Sequence, residues 1–305
     1  RRHWQLVYVG TLALMVVVFA AAEAVRGSKR WIDLGFIQFQ PSELGKVLFV
    51  LAIAGFLVGH AGRVTRWRTI LAAVGLGAAP IFLVFLQPDL GTALVYAAAF
   101  FAVLFFVGVR WRQLVVLLAL AVAGVLAILW ILPSAGIHVL KPYQTARLTL
   151  DPGSDPSGIT YNLDQSITAV GSGGLTGRGP VEASQTRLDY LPEHATDFAF
   201  ASLAEQRGFV GCAILLLLYL LVVWRGLRVI TVASDLYGAA VAGGLVVAFL
   251  FQVYVNVGMT MGLAPVTGIP LPFVTVGGSS MVASLLLIGV LLNIHTRGEL
   301  DGGST

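Results

Sequence analysis

The residues able to do chemistry are few and sit at the edges of apolar runs. Asp197 closes the polar stretch LPEHATDF (residues 191–198) just before such a run, with Glu193 and His194 within about one helical turn of it. A carboxylate at that boundary can act as a base, because partial burial raises its affinity for a proton. A lone Asp there would read as a helix cap; three titratable groups beside a hydrophobic run are candidates for function. A second group occupies residues 27–46, GSKRWIDLGFIQFQPSELGK, which hold Arg30, Asp33, Glu43 and Lys46. Pro41 suits the first turn of a helix and Ser42 could cap it. Glu43 and Lys46, three apart, share a helical face. They read either as a surface ion pair at the membrane boundary, worth roughly a few tenths of a kcal/mol, or as an anionic-ligand site. Asp89, in Gln87-Pro88-Asp89, opens an apolar span with almost no loop before it and fits an N-cap as readily as a functional carboxylate. The glycine-rich stretch GSGGLTGRG (171–179) could bring backbone N–H groups close to an anion. It lacks nucleotide-loop spacing, and a flexible turn is the commoner explanation.

Composition says what must hold these groups. Of 305 residues, 57% are hydrophobic and 11% charged, against about 25% charged in soluble domains. The formal charge is +4 with basic residues scattered through the loops, so no cationic stripe for nucleic acid exists. Cys212, the only cysteine, lies in an apolar run, cannot form an intrachain disulfide and reads as a small buried hydrophobe. Apolar runs at residues 4–22, 47–59 (extended by 41–46), 69–86, 90–109, 114–132, 208–224, 236–263 and 279–293 predict eight helical membrane spans. The expected fold is all-α, a single polytopic helix bundle over 1–305 with one large extracytoplasmic loop at 133–207. Within that loop, residues 161–170 predict a short helix. Residues 256–280, with Pro265, Pro270 and Pro272, predict a broken segment between two spans, as found where backbone lines a cavity.

Eight spans place both ends on one side. The face with the termini carries ten Lys or Arg: Arg1, Arg2, Arg63, Arg66, Arg68, Arg110, Arg112, Arg225, Arg228 and Arg297. Short loops on the other face hold four, Arg26, Lys29, Arg30 and Lys46. The termini are therefore expected in the cytoplasm. Only Asp235, Glu299 and Asp301 of the fifteen acidic residues fall on that face. Any chemistry is expected outside.

Taken together, KRWIDLG–FQPSELGK, QPDLGTAL, KPYQTARL, YNLDQSITAVGSGGLTGRG, LPEHATDFAFASLAEQRGFVG and NVGMTMGLAPVTGIPLPFVTVGGSS resemble the SEDS family (shape, elongation, division and sporulation), whose best-known members are RodA and FtsW. The six stretches occur in the family's order and cover nearly the whole chain; KRWIDLG leans toward the RodA branch. The resemblance implies a peptidoglycan glycosyltransferase that polymerises lipid II on the outer face of the cytoplasmic membrane and works with a class B penicillin-binding transpeptidase. Members have about ten membrane helices and the first span here matches their third, so two further N-terminal spans are expected of the intact protein. The family usually has His just before Thr-Asp-Phe; here Ala195 stands there and His194 is one place back, which leaves the role of a histidine open.

By that resemblance Asp197 is the catalytic base, taking the proton of the acceptor sugar's 4-hydroxyl. The leaving lipid pyrophosphate needs positive charge, which Arg30 and Lys46 would supply, or Lys141, Arg147 and Arg187, with Glu43 and Asp89 orienting the cations. Gln165 and Ser166 on the short helix, and Glu193, complete the candidate substrate contacts. No His/Cys cluster suggests zinc; a divalent cation, Mg²⁺ or Mn²⁺, could come held partly by the pyrophosphate. The rival readings are a lipid flippase or transporter using the broken segment, and a non-catalytic scaffold of the elongation or division machinery.

Overall fold

The computed structural model describes residues 1–21, 23–25, 28–33, 35, 38–136 and 158–302. Long apolar helices dominate it: α1 (Trp4–Ala21), α2 (Pro41–Gly59), α3 (Trp67–Leu86), α4 (Leu90–Val107), α5 (Trp111–Leu126), the shorter α6 (Ile159–Ser172), α7 (Ala199–Val232), α8 (Leu236–Thr260) and α9 (Gly278–Gly302). A π turn, Ala127–Ile131, and a last turn, Leu132–Ser134, prolong α5. Among the described residues seven helices are long and apolar enough to cross a membrane, and α1 is a shorter apolar helix. Eighteen residues of α1 rise about 27 Å, close to the hydrocarbon thickness. The chain is thus a multi-pass membrane helix bundle. One feature departs from the all-α expectation: three short antiparallel strands, β1 (Glu23–Val25), β2 (Ser28–Asp33) and β3 (Gln38–Phe39), in the order β1-β2-β3. Glu23 faces Trp31, and Ile32 faces Phe39.

The chain divides into two compact units. The first comprises Arg1–Arg110, Leu218–Val253 and Thr275–Thr305. Its centre is α2, buried from Pro41 through most of its length and flanked by α1, α3, α4 and α9. Trp4 meets Phe56 edge-on at 5.3 Å, and Phe49 packs on Tyr96 at 5.0 Å. The second unit comprises Trp111–Leu217 and Tyr254–Val274. Here Leu163, Leu191, Phe198, Ala201 and Val266 form a small core. By contrast, α5 buries little beyond Gln113 and Leu117, as a helix largely bordered by lipid would.

In the second unit α7 starts nine residues before the hydropathic expectation, at Ala199 rather than Gly208. Its early turns carry Glu205, fully buried, whose carboxylate accepts from the amides of Gln185 (2.8 Å) and Thr186 (2.9 Å) and from Thr186 Oγ1 (2.7 Å). Three donors compensate the buried charge and let the helix run through a polar stretch. At Gly208 the backbone is non-helical, φ 64° and ψ −165°, a conformation open only to glycine. The glycine-rich segment docks there: Phe209 N donates to Gly174 O and Val210 N to Leu175 O. A Cβ on Gly177 would strike the Gln206 carbonyl. The glycines of 171–179 thus allow backbone-to-backbone packing against the kink.

Candidate functional site

In the first unit, the start of α2 gathers a buried polar cluster. Pro41 occupies the first turn as expected, but the N-cap is Gln40 and no side chain caps the helix. Ser42 is turned away instead, its Oγ 3.5 Å from Asp89 Oδ2. The expected Ser42 cap is corrected: an acceptor already sits on the opposite side, and the hydroxyl donates to it. Asp89 is 2% exposed and caps α4, Oδ1 accepting from Thr92 N at 3.1 Å. Its Oδ2 accepts from Gln40 Nε2 at 2.8 Å, and Arg30 Nη1 lies 3.8 Å from Oδ1. Asp89 is therefore both the helix cap and the partner of a cation. Ser279 Oγ ties the cluster to the strands, donating to Gln38 O (2.6 Å) and accepting from Gln40 N (2.9 Å).

Glu43 and Lys46 do pair, Nζ to Oε2 at 2.8 Å, but at 1% and 3% exposure they are not the surface pair that spacing alone suggested. The covering helices exclude water, so removing either charge would strand the other. Glu43 Oε1 is buried without a hydrogen-bond partner among the described residues. Tyr96, wholly buried, donates to Ser42 O at 2.8 Å and joins α4 to this turn. Of the two cations proposed for an anion, Lys46 is enclosed with its partner, whereas Arg30 keeps 18% of its side chain exposed.

In the second unit, Leu191–Phe198 folds as successive turns rather than a helix, with Glu193 at φ 56°. Glu193 O accepts from the amides of Thr196 and Phe198, both at 3.1 Å, and Glu193 Oε2 accepts from Thr196 Oγ1 at 2.7 Å. These bonds set Asp197 immediately ahead of α7, half-buried. Asn256 secures the same place from α8: fully buried, its Nδ2 donates to Asp197 O (3.0 Å) and Ile269 O (2.7 Å). It thereby joins the turn that carries Asp197 to the proline-rich segment after α8. In that segment a Cβ on Gly268, φ 69°, would lie 3.1 Å from Asp197 Oδ2. His194 faces away, Nδ1 3.6 Å from Asp189 Oδ1 and 3.3 Å from Leu191 O.

Other sequence candidates divide. Ser166, buried, donates to Thr260 O at 2.9 Å and holds α6 to the end of α8, while Gln165 is partly exposed beside it. Arg187 is exposed. Lys141 and Arg147 lie outside the described residues. Gln40, Tyr96, Glu205, Asn256 and Gly268 were not singled out from sequence. Asn256 stood as a polar residue between two apolar spans, a signal that could have marked it, whereas Glu205 fell within the loop expected over 133–207. Among the described residues no three His, Cys, Asp or Glu side chains gather as a metal site.

Long apolar helices, with a buried polar cluster in one unit and a half-buried carboxylate in the other, define a polytopic membrane protein with a candidate acid–base residue. Residues 1–299 match the family FtsW/RodA/SpoVE, described as cell cycle protein. The peptidoglycan glycosyltransferase MrdB of Escherichia coli is 40% identical over 295 residues, covering 96% of this chain and 78% of that protein. Stage V sporulation protein E of Bacillus subtilis is 37% identical over 286 residues, 93% and 75% of the two chains. Among solved structures, a chain of a peptidoglycan synthase complex superposes with a TM-score of 0.80 at 33% identity, covering 98% of this chain and 83% of that one. The rod shape determining protein RodA of Thermus thermophilus gives 0.66 at 32%, covering 97% and 79%. This chain belongs to the FtsW/RodA/SpoVE family, the SEDS family.

Proposed function

We propose that the protein is a peptidoglycan glycosyltransferase that polymerises lipid II into glycan strands at the outer face of the cytoplasmic membrane, with Asp197 as general base. Relatives named as peptidoglycan glycosyltransferases support the reaction class. The observation that carries the assignment of the base is local: Asp197 is a half-buried carboxylate at a helix start, anchored through its own carbonyl by Asn256 and flanked by a glycine. In the reaction, the acceptor sugar's 4-hydroxyl attacks the donor's anomeric carbon. The carboxylate takes the hydroxyl proton as the new O–C bond forms, and the bond from the anomeric carbon to the phosphate oxygen breaks. That electron pair leaves with the undecaprenyl pyrophosphate, and Asp197 returns its proton to solvent. Arg30 supplies positive charge for a lipid-linked pyrophosphate, with Asp89 beside it to fix its orientation.

The excess of Lys and Arg on the face with the termini supports cytoplasmic ends and an outward-facing site. A class B penicillin-binding protein is the proposed partner; the structural neighbour described as a complex coordinating polymerization and crosslinking supports it. The test is polymerisation by purified protein on lipid II in detergent, read as strand length on gels. Asp197→Asn keeps size and shape but removes the proton acceptor, so turnover should fall about 10²–10⁴-fold while the protein extracts and unfolds like the parent. Glu193→Gln should be milder. Long strands made by Asp197→Asn near the parent rate would end the base assignment and favour a flippase or scaffold.

A further inference from the structure

The geometry points to an anionic-phospholipid site in a groove between the C-terminal parts of α7 and α9. The groove encloses about 780 Å³, within the roughly 300–1,000 Å³ usual for ligand clefts. Its walls are apolar, with Leu221 and Val222 on α7 and Ile288 and Leu291 on α9. Toward the helix ends the lining turns polar at Arg225, Arg228, Thr231, His295 and Glu299. From Leu221 to Val232 the helix rises about 16 Å, so the groove passes from hydrocarbon depth to the headgroup level.

Three observations give its occupant a chemistry. First, the two guanidiniums have no carboxylate of their own among the described residues. The acid in the groove, Glu299, is held by His295, Nε2 to Oε1 at 3.2 Å. Second, both arginines lie over the exposed ring of Trp224, with Cζ to centroid 5.4 Å for Arg225 and 4.8 Å for Arg228. Tryptophan marks the interface between headgroups and chains, so the cations stand at the level where a bilayer presents phosphate. Third, His295 Nδ1 is buried without a hydrogen-bond partner among the described residues.

A phosphodiester suits the forked donors of two arginines, and acyl chains suit the walls. Basic pockets between membrane helices bind acidic lipids on this principle. A partner helix would fill the apolar walls but leave two guanidiniums without counter-charge, so the charge favours a lipid. The ligand is thus a glycerophospholipid with net negative charge, from the leaflet next to the C-terminal ends of α7 and α9. The site is independent of the proposed catalytic residues.

Two measurements test it on the purified full chain. Native mass spectrometry from detergent doped with phosphatidylglycerol or phosphatidylcholine should retain phosphatidylglycerol preferentially. In vesicles, a photoreactive phosphatidylglycerol should crosslink within residues 221–232 and 288–299. Arg225→Gln with Arg228→Gln should weaken phosphatidylglycerol retention at least about tenfold. Ile288→Trp, which fills the groove and leaves both arginines, should remove the crosslink by volume alone. Equal retention of the two lipids, unchanged binding in both variants, crosslinks mapped elsewhere, or a co-purifying polypeptide crosslinked in the groove would each overturn the assignment.

Discussion

Gly268→Ala tests whether the proline-rich segment after α8 keeps the Asp197 carboxylate in working position. Two penalties can be read from the structure. At φ 69° alanine is in the left-handed region, which should lower stability by about 1–2 kcal/mol. The new methyl would stand 3.1 Å from Asp197 Oδ2 and 3.7 Å from its Cγ, inside the roughly 3.3–3.6 Å of even favourable carbon–oxygen contacts. The carboxylate must then move by a few tenths of an ångström and loses open space beside one oxygen. A displacement of about 1 Å can lower a rate a hundredfold, so a drop of about tenfold in turnover is the expected scale. Gly262→Ala separates the two effects. That glycine shares the positive φ, 73°, but its added methyl meets Ile167 Cδ1 at 3.1 Å and not the carboxylate. Both variants should unfold a few degrees lower, and only Gly268→Ala should polymerise lipid II slowly in detergent. Parent-like turnover in Gly268→Ala, or equal slowing in Gly262→Ala, would refute the argument.

The polar cluster of the first unit and the topology yield three more expectations. Lys46→Met should destabilise the protein by about 3–5 kcal/mol, because it leaves the buried Glu43 charge without its partner. Adding Glu43→Gln should restore most of that loss in thermal unfolding; no restoration would mean that the pair is not what holds this turn. Arg30→Ala should weaken use of the pyrophosphate-linked donor about ten- to a hundredfold with folding intact, and unchanged kinetics would return Arg30 to a structural role. A cysteine at Ser172 should react with an impermeant thiol reagent from outside whole cells and one at Ser234 should not, the reverse pattern refuting the charge-based orientation.

Helix positions were legible because apolar runs and prolines act locally. Pro41 opened α2 and the Pro265–Pro272 run separated α8 from α9, both as expected. What sequence could not supply was the environment of each charge. Spacing put Glu43 beside Lys46, but whether the pair meets water depends on helices distant in sequence, such as α1 and α4. Ser42 looked like a cap because capping is the local option; the competing acceptor, Asp89, is 47 residues away. The early start of α7 escaped hydropathy for the same reason, since Glu205 and Arg207 read as loop until Gln185 and Thr186 supply donors. The small sheet at β1–β3 was missed because two- to six-residue strands leave too little periodicity to read.

Asp89 and Asp197 show why residue type and helix-start position alone do not assign a base. Both stand at or just before the first turn of a long apolar helix. Asp89 is 2% exposed, with Gln40 and Ser42 at one oxygen and Thr92 N and Arg30 at the other. Each of those contacts is a donor or cation already in place, so both oxygens are committed to structure. Its environment therefore ties it to the helix start and to Arg30. Asp197 is fixed through its backbone, by Asn256 at the carbonyl and by the Glu193 turn, and keeps part of its surface open beside a residue with no side chain. Anchoring the main chain places the residue by backbone bonds that a change of its side chain would leave standing. The role proposed for Asp197, taking a proton from a sugar hydroxyl, gains from such anchoring of the main chain, whereas Asp89 spends both of its oxygens on structure.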